Sequence, residues 1–145
     1  MFKHLLIATD GSAASEKAVA CGLALAKALR APVTLVTVTE AWTEAAYATV
    51  PTRSMIEVYE KTAAGNAAAT LDAAKRAAQD AGVTCRTLHI REQHAPEGII
   101  KAAKEEGCDV IVVGAHGRGP VGRVLLGSTS LKVLTFSAVP VLVCR

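Results

Sequence analysis

The chain has 145 residues, of which 51% are apolar, and a formal net charge of +3, so we expect a single domain over residues 1–145 with a sizeable core. Aromatic residues make up only 3% and the basic residues are scattered, which argues against the stacking platforms and basic patches of nucleic-acid-binding domains. The apolar runs are too short for a secretion signal or for the ~20 residues that cross a membrane, so we expect a soluble, cytoplasmic protein with no nucleic-acid or membrane partner.

The first part of the chain predicts a strand, a helix and a second strand. Residues 3–9 form a short apolar run that is typical of a buried strand. Ser12 is a suitable N-cap for the Ala-rich helix that its apolar spacing predicts over 13–30. The β-branched run at 33–38 then predicts a second strand.

The rest of the chain continues the same alternation. Residues 40–53 are irregular and long for a connection, and we interpret them as an excursion from the fold. A long Ala-rich helix is predicted at 54–81, with Gly82 at its end. The remaining predicted elements are strands at 83–90, 109–113 and 139–143, and helices at 96–106 and 128–136.

Strands that alternate with helices predict an α/β fold with a parallel sheet and helices on both faces. The simplest arrangement is a flavodoxin-like, doubly wound sheet of five strands in the order 3-2-1-4-5. In this order the first and fourth strands are neighbours whose helices lie on opposite faces. Ligands bind at such a switch point, beyond the carboxyl ends of the strands. Asp10, which follows the first strand, should therefore face the segment that begins at Gly114.

That segment, residues 114–129, is rich in glycine: five of its sixteen residues are Gly. A strand, a glycine-rich loop and a helix start together aim backbone N–H groups at one point, where the helix dipole adds positive potential. This pattern predicts a cradle for the phosphates of a nucleotide. It lacks the lysine of a Walker loop, and it stands too late in the chain for the dinucleotide fingerprint. An ordinary loop with spare glycines is the alternative.

The pattern Gly114-x2-Gly117-x9-Gly127-Ser128 resembles the nucleotide motif of the ATP-binding branch of the universal stress protein family. The similarity continues at 8–12, at 105–109 and in the closing run 139–143. The resemblance implies a flavodoxin-like fold of order 3-2-1-4-5, a cytoplasmic homodimer, and a small regulatory protein of stress survival that binds ATP.

The resemblance also implies a role for each matching position at the nucleoside end. Asp10, with Ala8 and Thr9, would contact the nucleoside or a Mg²⁺ ion bound with it. Val38, at the end of the second strand, would hold the adenine through its backbone.

At the phosphate end, Gly114 and Gly117 would let the phosphates and ribose approach the loop. Gly127, Ser128 and Thr129 would supply N–H groups and hydroxyls to the phosphates. The complete expected nucleotide site comprises Ala8, Thr9, Asp10, Val38, Val113, Gly114, His116, Gly117, Arg118, Gly127, Ser128 and Thr129.

Two arginines in the loop add a charge argument of their own. Arg118 and Arg123 could screen the β- and γ-phosphates, while solvated loop arginines are the alternative. The chain departs from the family at 93–96, where a glycine with an acidic residue is common, and at Gly119 and Gly122, where serine or larger residues are frequent.

The last predicted strand provides an argument for a dimer. It is an edge strand in this topology, and Val139, Val141 and Val143 are apolar. A bare apolar edge promotes aggregation unless it is covered, and a second copy can cover it across a two-fold axis. We therefore predict a homodimer through Val139 to Val143.

Three functions remain open. The first is a dimeric ATP-binding module whose nucleotide state alters the binding of an unknown regulatory protein. The second is a slow Mg-dependent ATPase, in which Asp10 holds Mg²⁺ and His116 acts as a base. The third is a nucleotide-free scaffold. The four cysteines are far apart without a CxxC pair, so we expect free thiols and no metal site.

Overall fold

A computed structural model of the protein describes residues 1–42, 50–115 and 126–145. Residues 43–49 of the predicted excursion lie outside this part of the chain. The described strands are β1 (Leu5–Ala8), β2 (Val33–Thr39), β3 (Cys85–Arg91), β4 (Val110–Gly114) and β5 (Val141–Cys144). The described helices are α1 (Ala13–Leu29), α2 (Arg53–Ala81), α3 (Ala95–Glu105) and α4 (Ser128–Phe136).

The five strands form one parallel sheet in the order β3-β2-β1-β4-β5, which confirms the predicted topology. The central strand is β1, in which Leu5 pairs with Val33 of β2 on one side and with Val110 of β4 on the other. Because β1 and β4 are neighbours, the switch point lies between their carboxyl ends.

Helices cover both faces of the sheet, and this explains why the strands are continuous apolar runs. Successive residues of β1 enter opposite cores. Leu5 and Ile7 pack in the cluster under α1 and α2, whereas Leu6 packs in the cluster under α3 and α4. All three side chains are fully buried, and each such burial contributes about 1.5–3 kcal/mol.

The long helices begin and end through local capping contacts. The backbone N–H of Ser15 donates to the Ser12 hydroxyl at 3.3 Å, which confirms Ser12 as the N-cap of α1. Thr52 caps α2 in the same way by accepting from Met55 at 3.2 Å. Gly82 ends α2 at a φ of +71°, where glycine carries no steric penalty. Within the described ranges, no helix has the length and apolar character that a membrane span needs.

The first strand begins later than the sequence predicts. Its ladder starts at Leu5 rather than at residue 3, because the Asp109 carboxylate accepts the preceding N–H groups. It lies 2.8 Å from the N–H of Lys3 and 3.1 Å from that of His4. A side chain thus takes the place of a strand partner at this end of the sheet.

The fourth strand begins one residue later than predicted, at Val110, and the third and fifth strands begin two residues later. Local hydrogen bonds explain the later start of the third and fifth strands. The last strand starts at Val141, since the N–H of Val139 donates to the Ser137 hydroxyl at 3.1 Å. The third strand starts after Val83, whose N–H donates to the carbonyl of Ala78 and closes α2. In both cases a turn takes up the backbone N–H group that would otherwise donate to a neighbouring strand.

Candidate functional site

A cavity of about 240 Å³ lies at the carboxyl ends of β1, β2 and β4, against the first turns of α1, α3 and α4. This is the switch point of the sheet, where the topology predicts a ligand. Nine of the twelve predicted site residues line it: Ala8, Thr9, Asp10, Val38, Val113, Gly114, Gly127, Ser128 and Thr129. The other three, His116, Gly117 and Arg118, lie outside the described residues, as does Arg123.

A hydrogen-bonded turn holds Asp10 at the mouth of β1. Asp10 Oδ1 accepts from the backbone N–H of Ser12 at 2.9 Å. The buried Ser15 hydroxyl accepts from the backbone N–H of Asp10 at 3.3 Å, lies 3.1 Å from Thr9 Oγ1, and donates to the carbonyl of Ser12 at 3.0 Å. Ser15 therefore fixes both the backbone of Asp10 and the turn into α1.

The charge of the cavity follows from the state of Asp10. Burial acts to raise the pKa of Asp10, but hydrogen bonds from Ser12 and Ser15 outweigh it and hold that pKa below its ordinary value. The side chain is thus a carboxylate at neutral pH. Among the described lining residues it is the only ionisable group. It suits hydrogen-bond donors, such as ribose hydroxyls or a base amine, or a cation.

The opposite wall is the N-terminus of α4. Gly127 caps this helix without a side-chain hydrogen bond, so the first backbone N–H groups, at Ser128 and Thr129, have no partner within the helix. The helix dipole adds about half a positive charge at the same point. This wall suits an anion, and a phosphate above all.

Gly114 has a structural reason to be glycine. A Cβ built on it would collide with the backbone carbonyl of Ala14, in the first turn of α1. The end of β4 and the start of α1 therefore pack backbone against backbone beside the cavity. This contact adds to the role that the sequence pattern predicts for Gly114, which is the approach of a phosphate.

The walls between these two polar ends are apolar. Val36 and Val38 project from alternate positions of β2, and Ile99 and Ala95 face them from α3. Apolar walls that lead to a few polar groups are typical of small-molecule sites, whose volumes begin at about 300 Å³. The flat face of a nucleobase would fit against such a surface.

Seven lining residues were not predicted from the sequence: Ser12, Ala14, Ser15, Val36, Ala95, Ile99 and Ser130. The period of two along β2 could have identified Val36 from Val38. Ala95 stands in the stretch where the chain departs from the family pattern, and here it begins α3. The contribution of Ser15 and Ser130 depends on tertiary contacts that no local pattern reveals.

Comparison with known proteins identifies the family. The sequence model of the universal stress protein family matches residues 1–145. The chain belongs to the universal stress protein family. Universal stress protein YxiE of Bacillus subtilis is 34% identical to this chain over 152 residues. The alignment covers 100% of both proteins.

Solved structures of universal stress proteins share the fold. One of them, a universal stress protein in complex with cAMP, superposes with a TM-score of 0.74 and is 28% identical in sequence. The superposition covers 99% of this chain and 97% of that protein's chain. An Arabidopsis thaliana protein with AMP bound, At3g01520, has a TM-score of 0.72 at 14% identity and covers 98% of this chain and 90% of its own. At that identity the second likeness shows the fold alone.

Proposed function

We propose that this universal stress protein binds an adenine nucleotide, ATP or a close relative, in the cavity between β1 and β4. The observation that carries the proposal is the pairing of two opposite walls: the ionised Asp10 and the uncapped N-terminus of α4. A nucleotide has matching ends, because its ribose and base donate hydrogen bonds and its phosphates accept them. The relative that is 28% identical and was solved with cAMP supports the same ligand class.

The charges define how the nucleotide would lie. The phosphates would lie at Ser128 and Thr129, where N–H groups and hydroxyls converge, and away from the Asp10 carboxylate, which would repel them. The base would rest on Val36 and Val38, and a donor of the nucleoside would face Asp10. Gly117, Arg118 and His116 belong to the proposed site through the family resemblance.

A Mg²⁺ ion fits this arrangement only when it arrives with the phosphates. Mg²⁺ is typically bound through one or two carboxylates together with phosphate oxygens. In the described residues, no group of three potential metal ligands exists, and Asp10 is the one carboxylate lining the cavity there. With the ion bound, Asp10 would hold it directly or through water in place of the nucleoside contact, because the ion would cancel the repulsion between the carboxylate and the phosphates.

Calorimetric titration of the full chain with ATP, AMP and cAMP tests the proposal. We expect micromolar affinity, which corresponds to about 8 kcal/mol. Asp10→Asn should weaken binding about tenfold, because the oxygen that accepts from Ser12 can remain while the second carboxylate oxygen, a charged acceptor, becomes an NH2 donor. Asp72→Asn, an exposed acid on α2, is the matched control. The absence of heat at millimolar ATP would contradict the proposal.

The same titration with and without Mg²⁺ separates the two roles of Asp10. If Asp10 contacts the nucleoside, Asp10→Asn weakens AMP and ATP equally in both conditions. If Asp10 holds the ion, the substitution abolishes only the gain in ATP affinity that Mg²⁺ provides. Gly117→Val should weaken every nucleotide by blocking the approach to the loop.

The two alternative functions have direct tests. Phosphate release from ATP above the blank, abolished in Asp10→Asn, would favour a slow ATPase. Purified protein without absorbance at 260 nm and without nucleotide binding would favour a scaffold. We propose the binding module, active in the cytoplasm, whose nucleotide state controls a regulatory partner protein.

We also propose that the protein is a homodimer through β5, an edge strand of the sheet. The carbonyl of Pro140 accepts from Ile111 of β4, and that of Cys144 accepts from Ala115, which follows β4. Because backbone groups alternate along a strand, those of Val141 and Val143 face away from the sheet. Helix α4, which packs on β5, also exposes three large apolar side chains: Leu131, Leu134 and Phe136. A second copy would cover the open edge and apolar surface of this kind.

Light scattering at micromolar concentration tests the dimer. Val143→Pro removes an outward N–H without removing a donor to β4, so we expect it to shift the mass towards one chain. Val143→Ala, which keeps the N–H, is the control and should remain dimeric. A wild-type protein with the mass of one chain would contradict the dimer while leaving the nucleotide proposal intact.

A further inference from the structure

A second cavity, of about 310 Å³, lies beside the candidate nucleotide site, between the end of β2 and the middle of α2. Cavities that hold small molecules have volumes of this order or larger. Asp10 and Val38 line both cavities, whereas the other residues around the second one lie at the end of β2 and on α2 and take no part in the proposed nucleotide site. Most of them are polar, so this cavity has a chemistry of its own.

The alternation of side chains along β2 directs Thr37 into this cavity. Leu35 packs in the cluster under α1 and α2, whereas Val36 packs in the cluster on the other face of the sheet. Because successive side chains of a strand point to opposite faces, Thr37 projects from the same face as Leu35, towards α2. Thr37 therefore faces away from the proposed nucleobase surface of Val36 and Val38.

The hydroxyl of Thr37 is a buried polar group that the protein leaves without a hydrogen bond. Thr37 is only 5% exposed. Within residues 1–42, 50–115 and 126–145 its hydroxyl has no hydrogen-bond partner, and no fully enclosed side-chain oxygen or nitrogen there lacks one. The Thr37 oxygen is therefore reached through the cavity that it lines. Since buried polar side chains ordinarily have a partner, the partner of this hydroxyl must come from the contents of the cavity.

Two contacts of α2 fix the walls of the cavity. The Tyr59 hydroxyl donates to the carbonyl of Glu40 at 2.8 Å, which ties α2 to the chain that leaves β2. Farther along the helix, a Cβ built on Gly11 would lie 2.9 Å from Thr70 Oγ1, so the turn after β1 packs closely on α2. Gly11 has a φ of +82°, which favours glycine in this turn. The cavity is thus formed before a ligand enters it.

The side chains around the cavity favour a cationic ligand. The described lining residues include two acids, Asp10 and Glu40, and no lysine, arginine or histidine. A metal ion fits poorly, because the described residues contain no group of three potential metal ligands. An alkylammonium group has three N–H donors and no acceptor, so it can bond a carboxylate and the Thr37 hydroxyl at the same time.

We propose that this cavity binds a small diamine. One ammonium group would bond Asp10 and the Thr37 hydroxyl, and the other would lie at Glu40, just after the neighbouring strand. The hydrocarbon chain between them would rest on Ala63 and Ala67, small apolar residues of α2 that line the cavity. This inference does not depend on nucleotide binding, because Thr37, Glu40 and the residues of α2 do not line the nucleotide cavity.

Calorimetric titration of the full chain without nucleotide tests the proposal, with putrescine as the probe. We expect putrescine to bind, and butylamine, its analogue with one ammonium group, to bind about tenfold more weakly because a charged hydrogen-bond donor is missing. The neutral diol of the same length should not bind. A pH of about 8 keeps alkylammonium groups charged and histidine ordinarily neutral, which matters because His94 Nδ1 lies 3.8 Å from Glu40 Oε1 and would compete for it when protonated.

Substitutions of the polar lining test the contacts. Thr37→Val removes the hydroxyl and keeps the branched shape, so putrescine should bind several-fold more weakly. Thr87→Val is the matched control, because Thr87 is an exposed residue of β3 that does not line the cavity, and its replacement should leave the affinity unchanged. Glu40→Gln should lower the affinity for putrescine to that for butylamine, since it removes the second acid. Circular dichroism checks that each variant is folded.

Filling the cavity provides a second arm. Ala63→Leu should abolish putrescine binding, because the larger side chain would occupy the cavity, whereas Ala68→Leu, at an exposed position of the same helix, should not. If the first variant does not fold, the substitutions of the polar lining decide the question. Trp42 packs edge-on against Tyr59, with ring centroids 5.3 Å apart, so its fluorescence gives a readout independent of heat.

Three outcomes would overturn the proposal. The first is the absence of putrescine binding at millimolar concentration, whether or not Mg²⁺ binds. The second is an affinity for butylamine or for the diol that equals the affinity for putrescine. The third is full affinity in both Thr37→Val and Glu40→Gln, because putrescine would then bind elsewhere. A failure of nucleotide binding leaves this proposal intact, since the titration contains no nucleotide.

Discussion

The hydroxyl of Ser130 donates a 2.7 Å hydrogen bond to the carbonyl of Gly114. This bond joins the first turn of α4 directly to the end of β4. Ser130 is only 6% exposed, so the bond is shielded from water. The strand end and the helix start that form the proposed phosphate wall are therefore held together independently of the residues between them.

Replacing Ser130 by alanine should affect both stability and binding. The Gly114 carbonyl, which lines the cavity and is partly buried, would lose this partner, and the free energy of unfolding should fall by about 1 kcal/mol. The N-terminus of α4 would also lose its anchor, so nucleotide affinity should fall. Urea unfolding and calorimetric titration measure the two effects.

Thr135→Ala is the control for Ser130→Ala. Thr135 is exposed and donates to the carbonyl of Leu131 within the same helix, at 2.8 Å. Its loss should change stability by less than about 0.5 kcal/mol and leave affinity unchanged. Equal effects of the two substitutions would show that the Ser130 anchor has no special role.

The fold could be predicted from the sequence because each local signal agreed with the global pattern. Ser12 is a suitable cap and does cap α1, and Gly82 ends α2 as expected. The strand starts were less accurate, since Asp109 and Ser137 supply hydrogen bonds that compete with the ladder. A local sequence pattern does not reveal this competition, because the Asp109 carboxylate is distant in sequence from the strand that it affects and the Ser137 hydroxyl folds back onto its own loop.

The site could be predicted only in part, for a related reason. The elements that end at Asp10 and begin at Ser128 carry recognisable turn and helix signals, so their meeting follows from the strand order. The contact of Gly114 with Ala14 and the contact of Gly22 with Ile7 do not follow from it. They depend on how closely α1 packs on the sheet, which the strand order leaves undetermined.

Two glycines in helices should respond oppositely to alanine. A Cβ on Gly65 of α2 would meet no atom within 4 Å, so Gly65→Ala should raise the free energy of unfolding by about 0.5–1 kcal/mol. A Cβ on Gly22 of α1 would lie 2.5 Å from Ile7 Cδ1. Overpacking of this kind costs about 1–3 kcal/mol, which exceeds the gain in helix propensity.

Urea midpoints of these two variants give the measurement, with unchanged m-values as a check that both remain folded. Each glycine serves as the control for the other, because both lie within helices. If Gly22→Ala were as stable as Gly65→Ala, the result would contradict the close packing of α1 against the sheet at Gly22.

Asp109 should make stability depend on pH. Slight burial acts to raise the pKa of Asp109, but the N–H groups of Lys3 and His4 and the charge of His4 lower it below its ordinary value of 3.8. A group whose pKa is lower in the folded state contributes stability above its unfolded pKa and loses it as the pH falls through the folded pKa. The contribution should therefore be complete at neutral pH and disappear in acid.

Asp109→Asn tests this dependence. At pH 7 it should reduce the free energy of unfolding by about 1 kcal/mol, and the difference from the wild type should shrink as the pH falls below about 4. Asp80→Asn, an exposed acid on α2, should have little effect at any pH. A difference that stayed constant down to pH 2 would exclude ionisation as its cause.

Ser15 should act as a positioning residue for Asp10 rather than as a ligand contact. Its hydroxyl accepts from the N–H of Asp10 at 3.3 Å, and its hydrogen bonding helps to lower the pKa of that carboxyl. Ser15→Ala should therefore raise the pKa of Asp10 towards its ordinary value, and nucleotide affinity should fall several-fold as the turn loosens.

Ser137→Ala is the matched control. Ser137 also forms a hydrogen bond within its own turn, at 2.7 Å to the carbonyl of Val139, but it does not line the cavity. Carboxyl NMR titration distinguishes the two, because both variants lose stability while only Ser15→Ala changes the pKa of Asp10. Equal shifts in both would mean that Ser15 stabilises the fold without orienting the acid.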